Sequence, residues 1–219
     1  MDRALGRGET DVRRSLSGRP VVLTGGIGSG KSSVGRLLAG WGAFLVDADQ
    51  LARDVVAPGT RGRTALEALL GPEVVAPDGS LDRAAMAERV FADAALLAEV
   101  EAIVHPLVHR AGLAAFDEAP KGSVLVYEVP LPGRGPFASD PLVVVVDAPD
   151  EVRRDRLADR GLSNSQISAR MRQQPTRAEW LAMADRVVDN SGTTSDLAGR
   201  VAQLWREITG QDPPVGADS

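Results

Sequence analysis

Eight residues near the start of the chain carry chemistry by type and spacing: Gly25-Gly26-Ile27-Gly28-Ser29-Gly30-Lys31-Ser32. They fit G-x-x-x-x-G-K-[ST], a pattern that holds phosphate. Glycine accepts the positive φ angles that turn successive N–H groups inward. Inward N–H groups form a concave nest for phosphate oxygens. A helix starting near Gly30 adds the positive end of its dipole. Lys31 can reach the β- and γ-phosphates, and the Ser32 hydroxyl can ligate Mg²⁺. The nucleotide-binding set read from this stretch is Gly26, Ile27, Gly28, Ser29, Gly30, Lys31, Ser32 and Ser33. Only Lys31 and Lys121 are lysines among 25 basic residues. A chain that otherwise uses arginine thus has a compact ammonium where phosphate wants one.

Further candidates lie at strand ends. The run Ala43 to Val46 reads as a buried strand ending in Asp47-Ala48-Asp49. Open α/β sheets bind ligands beyond the carboxyl ends of their strands. Asp49 is therefore a candidate for chemistry, or the N-cap of a helix from Gln50 to Val55, and the two roles can coexist. Arg53 follows one helical turn later and faces the same cleft. Glu128 ends the strand Val124 to Tyr127, where P-loop proteins place an acid near Mg²⁺ or its waters. His105, before Pro106, either marks a kink or lines an acceptor pocket, and both readings stand. His109 reads as part of a solvated face. Arg153, Arg154, Arg156 and Arg160 on one helix, with Arg170 and Arg172 on the next, suggest a lid over a triphosphate. The plainer alternative for most of them is solvated pairing with Asp150, Glu151, Asp155 and Asp159.

The elements that position these residues alternate along the chain. Pro20 to Thr24 is a β-prone run, and Ser33 to Ala39 continues as an apolar helix after the glycine turn. Leu142 to Val146 and Arg186 to Val188 supply two more strands, and Leu197 to Ile208 has helical spacing. Residues 61 to 118 read as helices without a strand between them, interrupted at His105-Pro106. The expected fold is α/β: a P-loop NTPase-type five-stranded parallel sheet with helices on both faces. A helical insertion at 60–120 and an arginine-rich lid at 150–175 decorate a body spanning 20–210. Residues 1–19 read as a flexible extension and 211–219 as a flexible tail.

At 219 residues and 43% hydrophobic, the chain can bury a full core. A net charge of −5 argues against a general nucleic-acid binder. The absence of cysteine excludes disulfides and thiolate metal sites. No apolar run approaches the length of a membrane span, and the first residues lack the apolar core of a signal peptide. A cytoplasmic protein that is a monomer or weak homo-oligomer is expected.

Taken together, these residues resemble the dephospho-coenzyme A kinase family. The matching stretches are Leu23 to Ser32, Asp47-Ala48-Asp49 with Ala52-Arg53, Val55 to Gly59, His105-Pro106-Leu107 and Val129-Pro130-Leu131. Arg156-Leu157 with Arg160, Arg170 with Gln174, Ala184-Asp185 and Asp189-Asn190-Ser191-Gly192 continue the likeness in order. The resemblance implies transfer of the ATP γ-phosphate to the ribose 3′-hydroxyl of dephospho-coenzyme A, with Mg²⁺. It implies Asp49 as the general base or orienter of that hydroxyl, Lys31 and Arg156 on the phosphates, and Asn190 near adenine. Arg53, His105 and Glu128 join Asp49 on the acceptor side. The chain departs from the family where Leu131 is followed by Pro132-Gly133-Arg134-Gly135.

Overall fold

The computed structural model describes residues 18–91, 93–130, 135–137 and 140–214. The extension over 1–17, the last residues 215–219 and the departure at Pro132-Gly133-Arg134 lie outside the described residues. Five parallel strands form one sheet in the order β2-β3-β1-β4-β5. They are β1 Val21–Thr24, β2 Phe44–Asp47, β3 Leu125–Glu128, β4 Leu142–Asp147 and β5 Arg186–Asp189. Every residue of β1 is buried, because helices cover both faces of a parallel sheet. Its run Val-Val-Leu-Thr therefore shows no polar alternation.

One face packs on helix α1 (Lys31–Gly40) and helix α9 (Thr194–Thr209). Val21, Leu23, Val144 and Val146 meet Val34, Leu38, Val201 and Leu204 there. Each such fully buried aliphatic side chain contributes about 1.5–3 kcal/mol. Trp41, just past α1, meets Trp205 of α9 edge-on with centroids 6.0 Å apart. The opposite face packs Val46 and Tyr127 against Phe116 and Ala115 of helix α5 (Ala94–Asp117).

A second apolar cluster stands beside the sheet. It joins Leu66 and Leu70 of helix α3 (Arg61–Leu70), Val74 and Val100. Met86 of helix α4 (Arg83–Phe91) and Ile103 and Val104 of α5 pack around it. An antiparallel bridge, Val75 to Leu81, closes the turn at Asp78-Gly79-Ser80.

Two expectations need correction, and one element went unread. The sequence predicts a break at His105-Pro106, yet α5 runs unbroken with Pro106 inside it. Packing at both ends explains this: its first half belongs to the lateral cluster and its second half to the sheet face. That burial outweighs one lost backbone hydrogen bond. The N-cap of helix α2 (Ala48–Asp54) is Asp47, not Asp49. Helix α8 (Arg177–Ala182) was not anticipated, although Thr176 and Glu179 form a complete capping box.

Pro106 is exposed on a continuous helix. Pro106→Ala is expected to stabilise the fold by about 1–3 kcal/mol, the helical gain less the entropy proline removes from the unfolded chain. Urea unfolding measures the difference, and a loss of stability would contradict an unbroken α5.

Candidate active site

A nest that turns N–H groups inward turns carbonyls outward, and buried carbonyls need donors. The loop meets that demand residue by residue. The Gly25 carbonyl accepts from Lys31 Nζ at 3.0 Å, and the Gly26 carbonyl from the Ser29 N–H at 3.0 Å. The Ile27 carbonyl accepts from Arg153 Nε at 2.9 Å. The Ser29 carbonyl accepts from Asn190 Nδ2 at 2.7 Å and Arg156 Nη1 at 3.4 Å. Glycine is obligatory at two points. Gly25 has φ +143°, and a side chain there would collide with the Val146 carbonyl. Gly30 has φ +95°, and a Cβ would collide with the Asn190 amide. The Ser29 hydroxyl is buried with no hydrogen-bond partner among the described residues.

Strand register assembles the second half of the site. Asp47 on β2 pairs with Glu128 on β3, and Glu128 pairs with Leu23 on β1. The carboxylates therefore line up beside the loop that leaves β1. Gly35 lets α1 come close, since a Cβ there would lie 2.9 Å from Glu128 Oε2. The Ser32 hydroxyl accordingly donates to Glu128 Oε1 at 3.0 Å. The Asp47 side chain accepts from the N–H groups of Asp49 (2.8 Å) and Gln50 (3.2 Å). That leaves Asp49 in the first turn of α2, exposed and without a capping duty.

Burial dominates the electrostatics here. It lowers the Lys31 pKa from its ordinary value, while Glu128, Asp49 and Asp47 oppose the shift and Arg153 adds to it. Burial pushes the Glu128 carboxyl upward. The Ser32 hydrogen bond and Lys31 pull it back, and Asp47 and Asp49 push with burial.

Other predicted residues are held elsewhere. Arg156 and Asn190 join at the Ser29 end of the loop, where Arg156 Nη2 also donates to the Asn190 carbonyl at 2.9 Å. Ser33 sits on α1 and accepts from Arg36 at 3.3 Å. Arg53 donates to Gln50 Oε1 at 3.1 and 2.9 Å and runs along α2. His105 is exposed and lines a cavity of about 220 Å³ with Ala52, Val56, Leu66, Met86 and Val104. His109 is exposed, as expected.

Sequence reasoning named two residues without giving them their role as supports of the loop. Arg153, on helix α6 (Asp150–Asp159), is only 4% exposed and braces the loop rather than facing water. Its signal was position: it lies one turn before Leu157, which is also buried on that helix. It pairs with Asp150 at 3.1 Å. The second is Gln174, whose Oε1 accepts from the Ile27 N–H at 2.7 Å. Three residues on, Arg177 grips the buried Asp147 carboxylate with both Nε and Nη2, at 3.0 and 2.7 Å.

A lysine and an array of carboxylates facing each other across a phosphate nest suit a phosphoryl group passing between them. With the sheet order, that defines a P-loop kinase. The kind of kinase comes from comparison. The dephospho-CoA kinase family model matches residues 19–196, and the chain belongs to that family. Its activity is that of a dephospho-CoA kinase, the final step of coenzyme A synthesis. The dephospho-CoA kinase of Thermobifida fusca is 45% identical over 86% of this chain and 95% of its own length. That of Streptomyces avermitilis is 47% identical over 86% and 93%. A crystal structure of TT1252 from Thermus thermophilus is 35% identical, with a TM-score of 0.76 over 88% of this chain and 100% of that one. The dephospho-CoA kinase of Campylobacter jejuni shares the fold at 22% identity, with a TM-score of 0.64 over 87% of this chain and 97% of that one.

The raised Glu128 pKa carries a stability consequence. Between its ordinary and its raised value the native state holds more protons than the unfolded one, so stability falls as pH rises through that window. Glu128→Gln keeps an acceptor for Ser32 and removes the ionisation. Its unfolding midpoint is expected to exceed the parent's by a few degrees at pH 7, with the gap closing below about pH 4. Equal gaps at both pH values in thermal melts would contradict the assignment.

Proposed function

We propose that this chain transfers the γ-phosphoryl group of ATP to the ribose 3′-hydroxyl of dephospho-coenzyme A, with Lys31 on the phosphates and Asp49 on the hydroxyl. The supporting observation is the strand register that gathers Lys31, Ser32, Asp47, Glu128 and the first turn of α2 at one sheet edge. The glycine nest takes the phosphates on its N–H groups. The 3′-oxygen attacks phosphorus, the bond to the β-bridging oxygen breaks, ADP leaves with that electron pair, and Asp49 takes the hydroxyl proton. Asp49 suits this role because Asp47 does the capping and leaves its carboxylate free to face an acceptor. Asn190 and Arg156, at the Ser29 end, mark the adenine side, and Arg156 reaches back to the phosphates.

Mg²⁺ fits the oxygen donors present. Among the described residues no group of three or more His, Cys, Asp or Glu could hold a metal ion. Mg²⁺ bound to nucleotide takes only one or two protein oxygens beside phosphate and water. The Ser32 hydroxyl, backed by Glu128, would hold it, and the ion would supply charge neutralisation on the β- and γ-oxygens.

Helices α3 to α5 form the acceptor side. The cavity beside His105 is walled mainly by Val56, Leu66, Leu81, Met86, Val100 and Val104, which suits the uncharged arm of dephospho-coenzyme A. His105 in its lining and Arg53 on α2 suit the acceptor's phosphates. Helices α6 and α7 (Asn164–Arg172) form the lid. Among the described residues no helix is long and apolar enough to cross a membrane. The proposed setting is the cytoplasm, as a monomer or weak homo-oligomer.

Incubation with ATP, Mg²⁺ and dephospho-coenzyme A should yield ADP and coenzyme A, and no product at millimolar acceptor would sink the reading. Asp49→Asn is expected to cut kcat by about 10²–10⁴-fold while ATP affinity stays within about threefold. ATP affinity that collapses while turnover survives would remove Asp49 from the acceptor hydroxyl. Lys31→Ala is expected to lower kcat by at least about 10²-fold with the fold retained, read by single-turnover kinetics and circular dichroism.

A further inference from the structure

Gln174 closes one end of the phosphate nest. Its Oε1 occupies the Ile27 N–H at 2.7 Å, so a donor of the loop is already engaged before any nucleotide arrives. The opposite end, at Ser29 and Gly30, is held by Asn190 and Arg156. A nucleotide lying along the loop with its base at Asn190 therefore brings its last phosphate toward Ile27. Gln174 stands there on a fixed backbone. Its N–H closes the turn after α7 on the Met171 carbonyl at 3.2 Å. Thr176 caps α8, and Arg177 is clamped on Asp147. The side chain remains free to rotate its terminal amide, a soft two-fold torsion.

The surroundings favour extra negative charge at that end. A cavity of about 540 Å³ opens beside Gln174, lined by Arg153, Arg154, Arg172 and Arg177. Asp150 is the one carboxylate among the described residues lining it. A phosphate oxygen is also a stronger acceptor than a neutral amide oxygen. It displaces Oε1 from the Ile27 N–H, and the freed amide can then present its NH₂ to the same phosphate.

We propose that Gln174 reads the terminal phosphate: its side-chain amide holds the Ile27 N–H in the empty nest and turns over to donate to the γ-phosphate, tying the α7–α8 turn to triphosphate rather than diphosphate. This rests on the nucleotide orientation proposed above. Gln174 acts as a phosphate-contacting residue on the lid, and its effect should separate ATP from ADP.

Titration calorimetry with Mg²⁺ and either ATP or ADP, without acceptor, tests it on the parent chain, Gln174→Met and Gln174→Glu. Gln174→Met keeps length and loses the donor, so its Kd for ATP should rise about five- to tenfold while that for ADP stays within about twofold. Gln174→Glu adds like charge, so its Kd for ATP should rise at least about tenfold more than that for ADP. Equal weakening toward both nucleotides would overturn the proposal and make Gln174 a brace of the loop. Unchanged affinity for both would also overturn it. A parent chain that binds neither nucleotide would overturn the nucleotide seat itself, and this inference with it. Thermal melts that stay within about 3 °C of the parent show that both variants are folded when read.

Discussion

The outward carbonyls of the phosphate loop are the constraint on which the site depends. Turning N–H groups toward a ligand exposes the other side of each peptide to a protein interior. Three carbonyls then require charged or amide donors, two of them brought in from distant sequence. Arg153 comes from α6, Asn190 from the end of β5 and Lys31 from the loop's own helix. An unpaired buried carbonyl costs roughly 1–3 kcal/mol, so losing any one of these donors would loosen the nest. The same demand places α6 and the β5 end tightly against the loop, at Gly26, Gly28 and Gly30.

The second organising force is the alignment of parallel strands. Parallel pairing sends all carboxyl ends to one edge, and here those ends carry Asp47, Glu128, Asp147 and Asp189. These carboxylates, two on each side of β1, repel unless cations divide them. Arg177 takes Asp147, Arg200 takes Asp189 at 3.0 Å, and Lys31 stands near Glu128. The pairs on β4 and β5 bind Arg177 of α8 and Arg200 of α9 to the sheet. Asp47 and Glu128, on the other side of β1, stay near the nest with Lys31 as the cation beside them. Glu128 is half-buried among like charges, which explains its upward shift.

Helix α5 couples the two apolar clusters. Its first half packs with α3 and α4, and its second half covers the sheet beside Tyr127. A rigid 24-residue helix running through both fixes the lateral cavity relative to α2, and so relative to Asp49. Gly62 permits the close approach of α3, since a side chain there would strike the Val55 carbonyl. The lateral cavity and the carboxyl edge of the sheet thus share one framework.

Local chemistry was legible in the order of residues. The glycine spacing with Lys31 and Ser32, the five aliphatic runs, the acids closing them and the heptad-like face of α9 each follow from short-range rules of backbone sterics and periodicity. They left out α8, a six-residue helix whose capping box, Thr176 with Glu179, those same rules describe. They misjudged Pro106, because a proline penalty is local and the burial that overrides it is not. They put the cap on Asp49 where Asp47 holds it, since both residues are aspartates that cap well and only the strand's last residue decides which one precedes the helix. Tertiary structure alone turned Arg153 into a brace, set Gln174 on Ile27 and made Asp147 the partner of Arg177. Such pairs join residues that sequence separates by 30 to 147 positions, and a hydrogen bond between them exists only after the sheet has fixed which strand ends lie side by side.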